Sequence, residues 1–264
     1  MLRFYFTLWC FLIAGSAAAT QSVQLTLPSS SHAGSVQNQY IESLLRESFA
    51  SQGLTVEIGY SQQEMNSARI RQSLQSGQHI NLAWLGARHQ QDPNLIAIPI
   101  ALYNNVHGHR ILLIQQQRQD EFSQITSLEQ LANFVGLQHH SWSDYEMMVN
   151  NGLTVEGELS YPAMYKALDE GLADYFPRSA MTIVAEHRRH AAEHVVIEQS
   201  LVLRYPNEFY FYTHKADTEL AKQLETGLRH LQQSGRFQQL FEQFYGDRLK
   251  ALALEQRRVL ELHR

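Results

Sequence analysis

The chain has 264 residues, 44% of them hydrophobic and 18% charged, with a formal net charge of −5. That length holds two lobes of ordinary domain size, and the acidic balance argues against nucleic acid or an anionic membrane surface as the main partner. The one cysteine, Cys10, cannot staple a small core through a disulfide, so each lobe must be held by its own apolar interior.

The first nineteen residues set the compartment. Arg3 supplies a positive n-region, residues 4–13 an apolar core, and Ser16-Ala17-Ala18-Ala19 a small-residue cleavage site. The apolar core is shorter than the ~20 residues needed to cross a bilayer. Residues 1–19 are therefore expected to be a secretory signal peptide, with the mature chain starting near Thr20 in the periplasm and not inserted in the membrane. Cys10 lies inside the signal, after Leu8 and Trp9, which is not the context of a lipid-bearing cysteine.

Residues 23–27 alternate apolar and polar, as a strand does, and a Ser-rich loop follows. Tyr40, Ile41, Leu44, Leu45 and Phe49 then share one helical face. Strands are predicted over 54–58 and 80–85, with a helix over 67–74 between them, and the third strand is apolar at nearly every position, as a strand covered on both faces would be. Repeated βαβ units make a parallel sheet. Ligands sit beyond the carboxyl ends of such strands, which points to the loops at 29–32 and 86–89. Strands at 95–99 and 110–114 flank a histidine-bearing turn and carry the chain into a second lobe. A helix over 127–134 is capped by Ser127, and helices over 145–150, 161–170 and 181–190 surround a strand at 173–176. Strands at 201–203 and 208–213 bring the chain back.

The last third completes the picture. Leu220, Leu224, Leu228, Leu231, Phe237, Leu240, Phe241 and Phe244 keep mostly three- and four-residue spacings, broken at Gly235, and this stripe must pack on a sheet. A long helix, a glycine break and a short aromatic helix ending in Tyr-Gly resemble the closing segment of periplasmic solute-binding proteins of the amino-acid-binding type. Segments similar to IAIPI at 96–100, HGHRILL at 107–113, WSD at 142–144, DYFPR at 174–178 and LRYPNEFYF at 203–211 occur in this order in a poorly characterised branch of that family. The resemblance spans nearly the whole mature chain. It implies the α/β, two-lobed type II fold, each lobe a mostly parallel sheet flanked by helices, with two hinge crossings. The expected division is 20–105 for the first part of lobe one, 106–205 for lobe two and 206–264 for the return to lobe one.

The resemblance also implies a ligand held by an arginine after a Thr-containing loop, which grips a carboxylate through its planar fork, and by an acid in lobe two that takes an ammonium. The matching loop reads GARHQQDP, with Ala87 at the threonine position and Gln91 near the arginine position, so Arg88 is the candidate from a shifted register. Asp144 and Asp174 are the candidate acids, although Asp174 also reads as a strand-end carboxylate satisfied by backbone amides. Arg178, after a proline at a strand end, is a candidate for an anionic group, and Trp142, in a polar loop beside His139 and His140, for a ligand wall. Trp84 reads as core, and Tyr205, Tyr210 and Tyr212 as hinge packing.

His187, His190 and His194 are spaced for one face of a helix, but Glu186, Arg188, Arg189 and Glu193 around them are the pattern of a solvated face, and no metal site is expected. Neither a GxSxG elbow nor a mature-chain cysteine nucleophile is present, so no enzyme activity and no cofactor are expected. The expected function is capture of a small polar or anionic, amino-acid-like ligand by a monomer, for an ABC-type membrane transporter or a receptor. The alternative is a sensor or protein-interaction module of the same fold with an altered cleft.

Overall fold

A computed structural model describes residues 22–29, 35–190 and 194–263, with the backbone alone at Arg88. The expected signal peptide, with Cys10, lies outside the described residues, as does most of the loop at 29–32. Among the described residues no helix is long and apolar enough to cross a membrane.

Lobe one opens with β1 (Ser22–Ser29), α1 (Val36–Ala50), β2 (Thr55–Glu64), α2 (Ser67–Ser76), β3 (Ala83–Gly86) and β4 (Leu95–Ile98). Ser35 starts α1 by accepting a hydrogen bond from the Asn38 amide, and the five apolar residues that define its inner face are all fully buried. The chain then enters lobe two as β5 (His109–Gln115), α3 (Gln119–Ser123), α4 (Leu128–Leu131), β6 (Val135–Leu137) and α5 (Ser143–Asn150). It continues through β7 (Thr154–Glu156), α6 (Tyr161–Asp169), β8 (Tyr175–Ser179), α7 (Ile183–Arg189), β9 (Val195–Ile197) and β10 (Leu201–Arg204). The return consists of β11 (Phe209–His214), α8 (Thr218–Gln233), α9 (Arg236–Phe241), a π turn at Glu242–Gly246, α10 (Asp247–Leu252) and β12 (Arg258–Glu261). Ser127 caps α4 through the Gln130 amide, as its sequence predicts. Gly235 takes the left-handed φ of 76° that lets the chain turn from α8 into α9.

In lobe one β1 and β2 pair in parallel, while β11 lies between β3 and β4 and runs antiparallel to both. Asn81 joins the two groups: its amide donates to the Thr26 carbonyl at 3.1 Å, and its side chain accepts from the Thr26 amide at 2.8 Å. The sheet of lobe two runs β12-β10-β5-β8-β6-β7, with β9 also on β5. Every antiparallel pair among the described strands involves β5 or β11, the strands that follow the first two crossings, and the remaining pairs are parallel. The apolar run at 80–85 therefore yields a shorter strand than expected, covered on both faces but antiparallel to its neighbour. Along β5 the pleat sends Ile111 and Leu113 to one core with Phe176 and Val202, and Leu112 and Ile114 to another with Tyr175 and Leu203. Helices thus cover both faces of that sheet.

The closing segment departs from its expected place wholly in lobe one. Phe237, Leu240, Phe241 and Tyr245 pack into the core of lobe one with Tyr40 and Phe49, but Leu252 packs in lobe two, and Leu249 touches both cores. β12 then adds to the edge of the second sheet, Leu201 opposite Arg258 and Leu203 opposite Leu260. The chain crosses between lobes a third time. Arg257 anchors that end from inside: its guanidinium donates to the carbonyls of Leu252 at 2.7 Å, Glu198 at 2.5 Å and Leu201 at 3.1 Å. The fully buried Glu198 carboxylate, 3.5 Å from Arg257, accepts the Ser200 and Leu201 amides.

Lobe one depends on the close approach of α1 and α8 at Gly227, where a Cβ would overlap the Ser48 carbonyl oxygen. Alanine is favoured over glycine in a helix by about 1 kcal/mol, but an overlap with backbone cannot be relieved by a rotamer change and costs about 1–3 kcal/mol or more. Gly227→Ala is expected to destabilise the protein by about 1–2 kcal/mol net, seen as a lower urea midpoint at unchanged slope.

Candidate functional site: the cleft between the lobes

The first two crossings run side by side. The Tyr205 amide donates to the Gly108 carbonyl at 3.3 Å, and a Cβ at Gly108 would overlap the Tyr205 carbonyl oxygen, so only glycine lets the two strands lie this close. Arg110, 7% exposed, leaves β5 just beyond this point. Its Nε donates to Asp144 Oδ2 at 2.5 Å, its Nη2 to Asp144 Oδ1 at 3.2 Å and to the Tyr205 hydroxyl at 2.7 Å, and its Nη1 to the His107 carbonyl at 2.6 Å. The Tyr205 hydroxyl in turn donates to Asp144. Asp144 lies in the first turn of α5. Burial works to raise its pKa, but the Arg110 charge and the hydrogen bonds from Arg110 and Tyr205 outweigh that and hold the carboxyl below its ordinary range. The expected partner of a ligand ammonium is thus held by Arg110 and Tyr205, and it fixes the start of α5 to both crossings. Tyr205 packs where the first two crossings meet, bonded to Arg110 and Asp144.

Arg178 and Trp142 are brought together, 5.4 Å from guanidinium carbon to ring centroid. Tyr161 and Phe176 complete an aromatic cage at 5.1 and 4.8 Å. Within it Arg178 donates through Nε and Nη2 to the two carboxylate oxygens of Glu186 on α7, at 2.5 and 3.0 Å. Burial would lower the Glu186 charge's stability, yet the Arg178 hydrogen bonds and charge hold its carboxyl below the ordinary range. Glu186 was not legible as a site residue, because an acid eight residues from an arginine has no fixed spacing signal until the helix between them is placed.

Two cavities open along the cleft. One, of about 480 Å³, is lined by Gly86 and Phe209 from lobe one and by Arg110, Ser143, Glu146 and Met147 from lobe two. The other, of about 510 Å³, lies between the first residues of α1, the start of α7 and the α10 side of the third crossing. His107 borders both. Burial, reinforced by the Arg110 charge, lowers its pKa to about 3, so the ring is neutral at physiological pH. Arg88 falls in the turn Ala87–His89, which follows Gly86 at the end of β3. Asp174 lies at the other end of β8 from the cleft, where it accepts the Val135 amide at 2.5 Å and pairs with Arg118. This is the backbone-satisfied carboxylate of its plainer reading. Trp84 packs against the core of lobe one.

The histidines of the 187–194 region go separate ways. His187 Nε2 lies 2.8 Å from the Val195 carbonyl, His190 stacks on Tyr165 with centroids 4.4 Å apart, and His194 Nδ1 is 3.4 Å from Asp169. Among the described residues no group of three or more His, Cys, Asp or Glu is arranged to hold a metal ion.

No protein-family model and no curated protein sequence matches the chain. Solved structures do. A probable amino-acid ABC transporter extracellular-binding protein from Bacillus subtilis superposes with a TM-score of 0.62 at 12% identity, covering 87% of this chain and 99% of that one. The L-cystine solute receptor of Neisseria gonorrhoeae, in its unliganded open conformation, gives 0.55 at 13% identity over 86% and 94% of the two chains. The GluR0 ligand-binding core in complex with L-glutamate gives 0.56 at 12% identity over 88% and 100%. The chain therefore has the two-lobed type II fold of periplasmic binding proteins.

Asp144 supplies a pH test of the hinge cluster. Its folded pKa lies below the unfolded value of about 3.9, so its contribution to stability is complete above that value and is lost as pH falls through the folded one. Asp144→Asn leaves the Arg110 guanidinium buried without its counter-charge, which costs about 3–5 kcal/mol at neutral pH. Urea denaturation across pH 2–7 is expected to show that loss at neutral pH and a smaller loss of stability towards acid than in the wild type.

Proposed function

We propose that the protein is a periplasmic solute-binding protein that captures a small polar or anionic, amino-acid-like ligand between its lobes and presents the liganded form to an ABC-type transporter or a receptor. The observation that carries this reading is the cleft, whose two cavities fall in the volume range of small-molecule sites and draw their walls from both lobes. A ligand contacted from both sides favours the arrangement that brings both sets of contacts together, which is the physical basis of closure. Trp142 and Arg178 line neither cavity themselves, but Trp142 adjoins Ser143 and Arg178 holds Glu186, which do, and the two are proposed to back the lobe-two wall, with Arg88 as the lobe-one contact and Asp144 as the acid that sets the electrostatics where the first two crossings meet. Among the solved structures, the ancestral arginine-binding protein is described as bound to arginine and the GluR0 core as bound to L-glutamate. These ligands are the starting points for a screen.

The alternative, a sensor or interaction module with an altered cleft, is favoured by one observation: Asp144 and Arg178, the charges best placed for a zwitterion, are each neutralised within the protein. A thermal-shift screen of residues 20–264 against amino acids, polyamines, organic acids and small sugars separates the two. Selective stabilisation is expected, amounting to about 2.7 kcal/mol at a hundredfold excess over Kd. Silence from every class with a cooperatively folding protein supports the module instead. Arg178→Ala alone leaves Glu186 unpaired and is expected to lower the melting temperature without ligand. The pair Arg178→Met and Glu186→Met removes both charges, and should keep the fold while reducing the ligand-induced shift if this wall is in contact.

A further inference from the structure

We propose that the α1 end of the cleft is an anion site, in which the charged group of a small dianion, a dicarboxylate or a phosphate ester, sits between the α1 N-terminus, Arg189 and Arg248. This rests on the solute-binding reading and specifies the ligand's charge and the place where it is held.

Four observations converge on the 510 Å³ cavity. First, Arg189 at the end of α7 and Arg248 in α10 both line it, and neither has a hydrogen-bond or ion-pair partner among the described residues. Arg189 is exposed and Arg248 half-buried, so both are free to meet a ligand, whereas the more enclosed Arg110, Arg178 and Arg257 are all paired within the protein. Second, the cavity faces the start of α1, a 15-residue helix with no acidic residue in its first turn. The Ser35 hydroxyl takes the Asn38 amide, and the first turn carries no carboxylate of its own to compensate the positive end of the helix dipole. Third, Tyr245 is 3% exposed, borders the cavity, and its hydroxyl has no hydrogen-bond partner among the described residues. The Nδ1 of His107, on the same wall, is likewise buried and unpartnered. Buried donors and acceptors without partners are rare in folded proteins, and two beside one polar cavity mark a place where a ligand completes the set. Tyr245 also sits in the π turn, a distortion of helix geometry often found at functional sites. Fourth, the acid that lines the cavity, Glu186, is already committed to Arg178 at 2.5 and 3.0 Å.

The balance of charge decides the ligand class. Two guanidinium groups and a helix N-terminus face the cavity, and the one lining carboxylate is neutralised, so there is a seat for negative charge and none for an ammonium. A zwitterionic amino acid would satisfy half of this arrangement, whereas a dianion satisfies both arginines. The three walls come from lobe one, from lobe two and from the third crossing, so an anion held here ties all three together.

The test is calorimetry and thermal shift at constant ionic strength with succinate, glycerol 3-phosphate, inorganic phosphate, leucine, glutamine and arginine. The expected result is preferential stabilisation by one of the dianions, with the succinate and glycerol 3-phosphate arms telling carboxylate from phosphate chemistry. Arg189→Gln and Arg248→Gln should each weaken that binding by about tenfold or more, the worth of one charge-assisted hydrogen bond. Arg229→Gln, the same charge loss on the exposed face of α8, should bind as the wild type does. Tyr245→Phe should weaken binding with no fall in the melting temperature of the free protein, because it deletes an unsatisfied hydroxyl. Equal dianion binding by the Arg189→Gln, Arg248→Gln double variant would place the site elsewhere and overturn the proposal. Stabilisation by the amino acids alone, or silence from all six probes, would overturn the anion seat, and the solute-binding reading would then stand or fall on the wider screen.

Discussion

A guanidinium group cannot lose its charge in a protein, so when it is buried its partners must be brought to it. Arg110 sits where the first two crossings touch, and its neighbours follow from that need: the Asp144 carboxylate, the Tyr205 hydroxyl and the His107 carbonyl all turn to meet it. One residue thereby joins β5, the 204–209 crossing and α5. Because Asp144 lies in the first turn of α5, beside Trp142 and Ser143, the lobe-two rim of the cleft is set by this buried cluster. Buried charge is weak evidence for stability, yet it is strong evidence for geometry, since few arrangements satisfy every donor of an arginine.

The third crossing adds a second constraint. Unlike the first two, this crossing is largely helical, and it places Tyr245 in one core and Leu252 in the other. The π turn that carries Tyr245 widens the helix at the point where it leaves lobe one, and β12 then fastens the end to β10. Arg257 and Glu198 lock that fastening in a dry interior, with the guanidinium shared among three carbonyls. The 242–257 segment therefore connects Tyr245, Leu249 and Leu252 to the cores of both lobes.

Electrostatics divides the groups along the cleft into two kinds. Two buried pairs are complete in themselves: Arg110 with Asp144 beside the first two crossings, and Arg178 with Glu186 inside its aromatic cage. At the α1 end a tyrosine hydroxyl and a histidine nitrogen are buried without partners among the described residues, and Arg189 and Arg248, which reach solvent, stand beside them. A buried polar atom costs free energy until water or a ligand supplies its partner.

Much of the architecture was legible along the chain. The α1 face from Tyr40 to Phe49, the Ser127 cap, the Gly235 break and the apolar run of β5 all follow from periodicity and local chemistry, which act within a few residues. The strands β6, β7 and β9, of three residues each, were not, because three residues cannot show an alternation and form only when neighbouring strands lend them hydrogen bonds. The same limit hid β12 and with it the third crossing. Trp142, Asp144, Arg178 and Arg88 could be named as candidates from residue type and position. Whether their charges face a ligand or one another is a long-range matter: Glu186 reaches Arg178 because α7 folds back over β8, and Arg110 reaches Asp144 across 34 residues. Arg189, Arg248 and Tyr245 read as ordinary helix residues until tertiary packing sets α7, the π turn and α10 around the start of α1. The sequence by itself determined the lobes, their cores and most of their helices, since those rest on local periodicity. Only the tertiary structure decided which charges are spent within the protein and which are left for a ligand, since partnership depends on distances that no local pattern encodes.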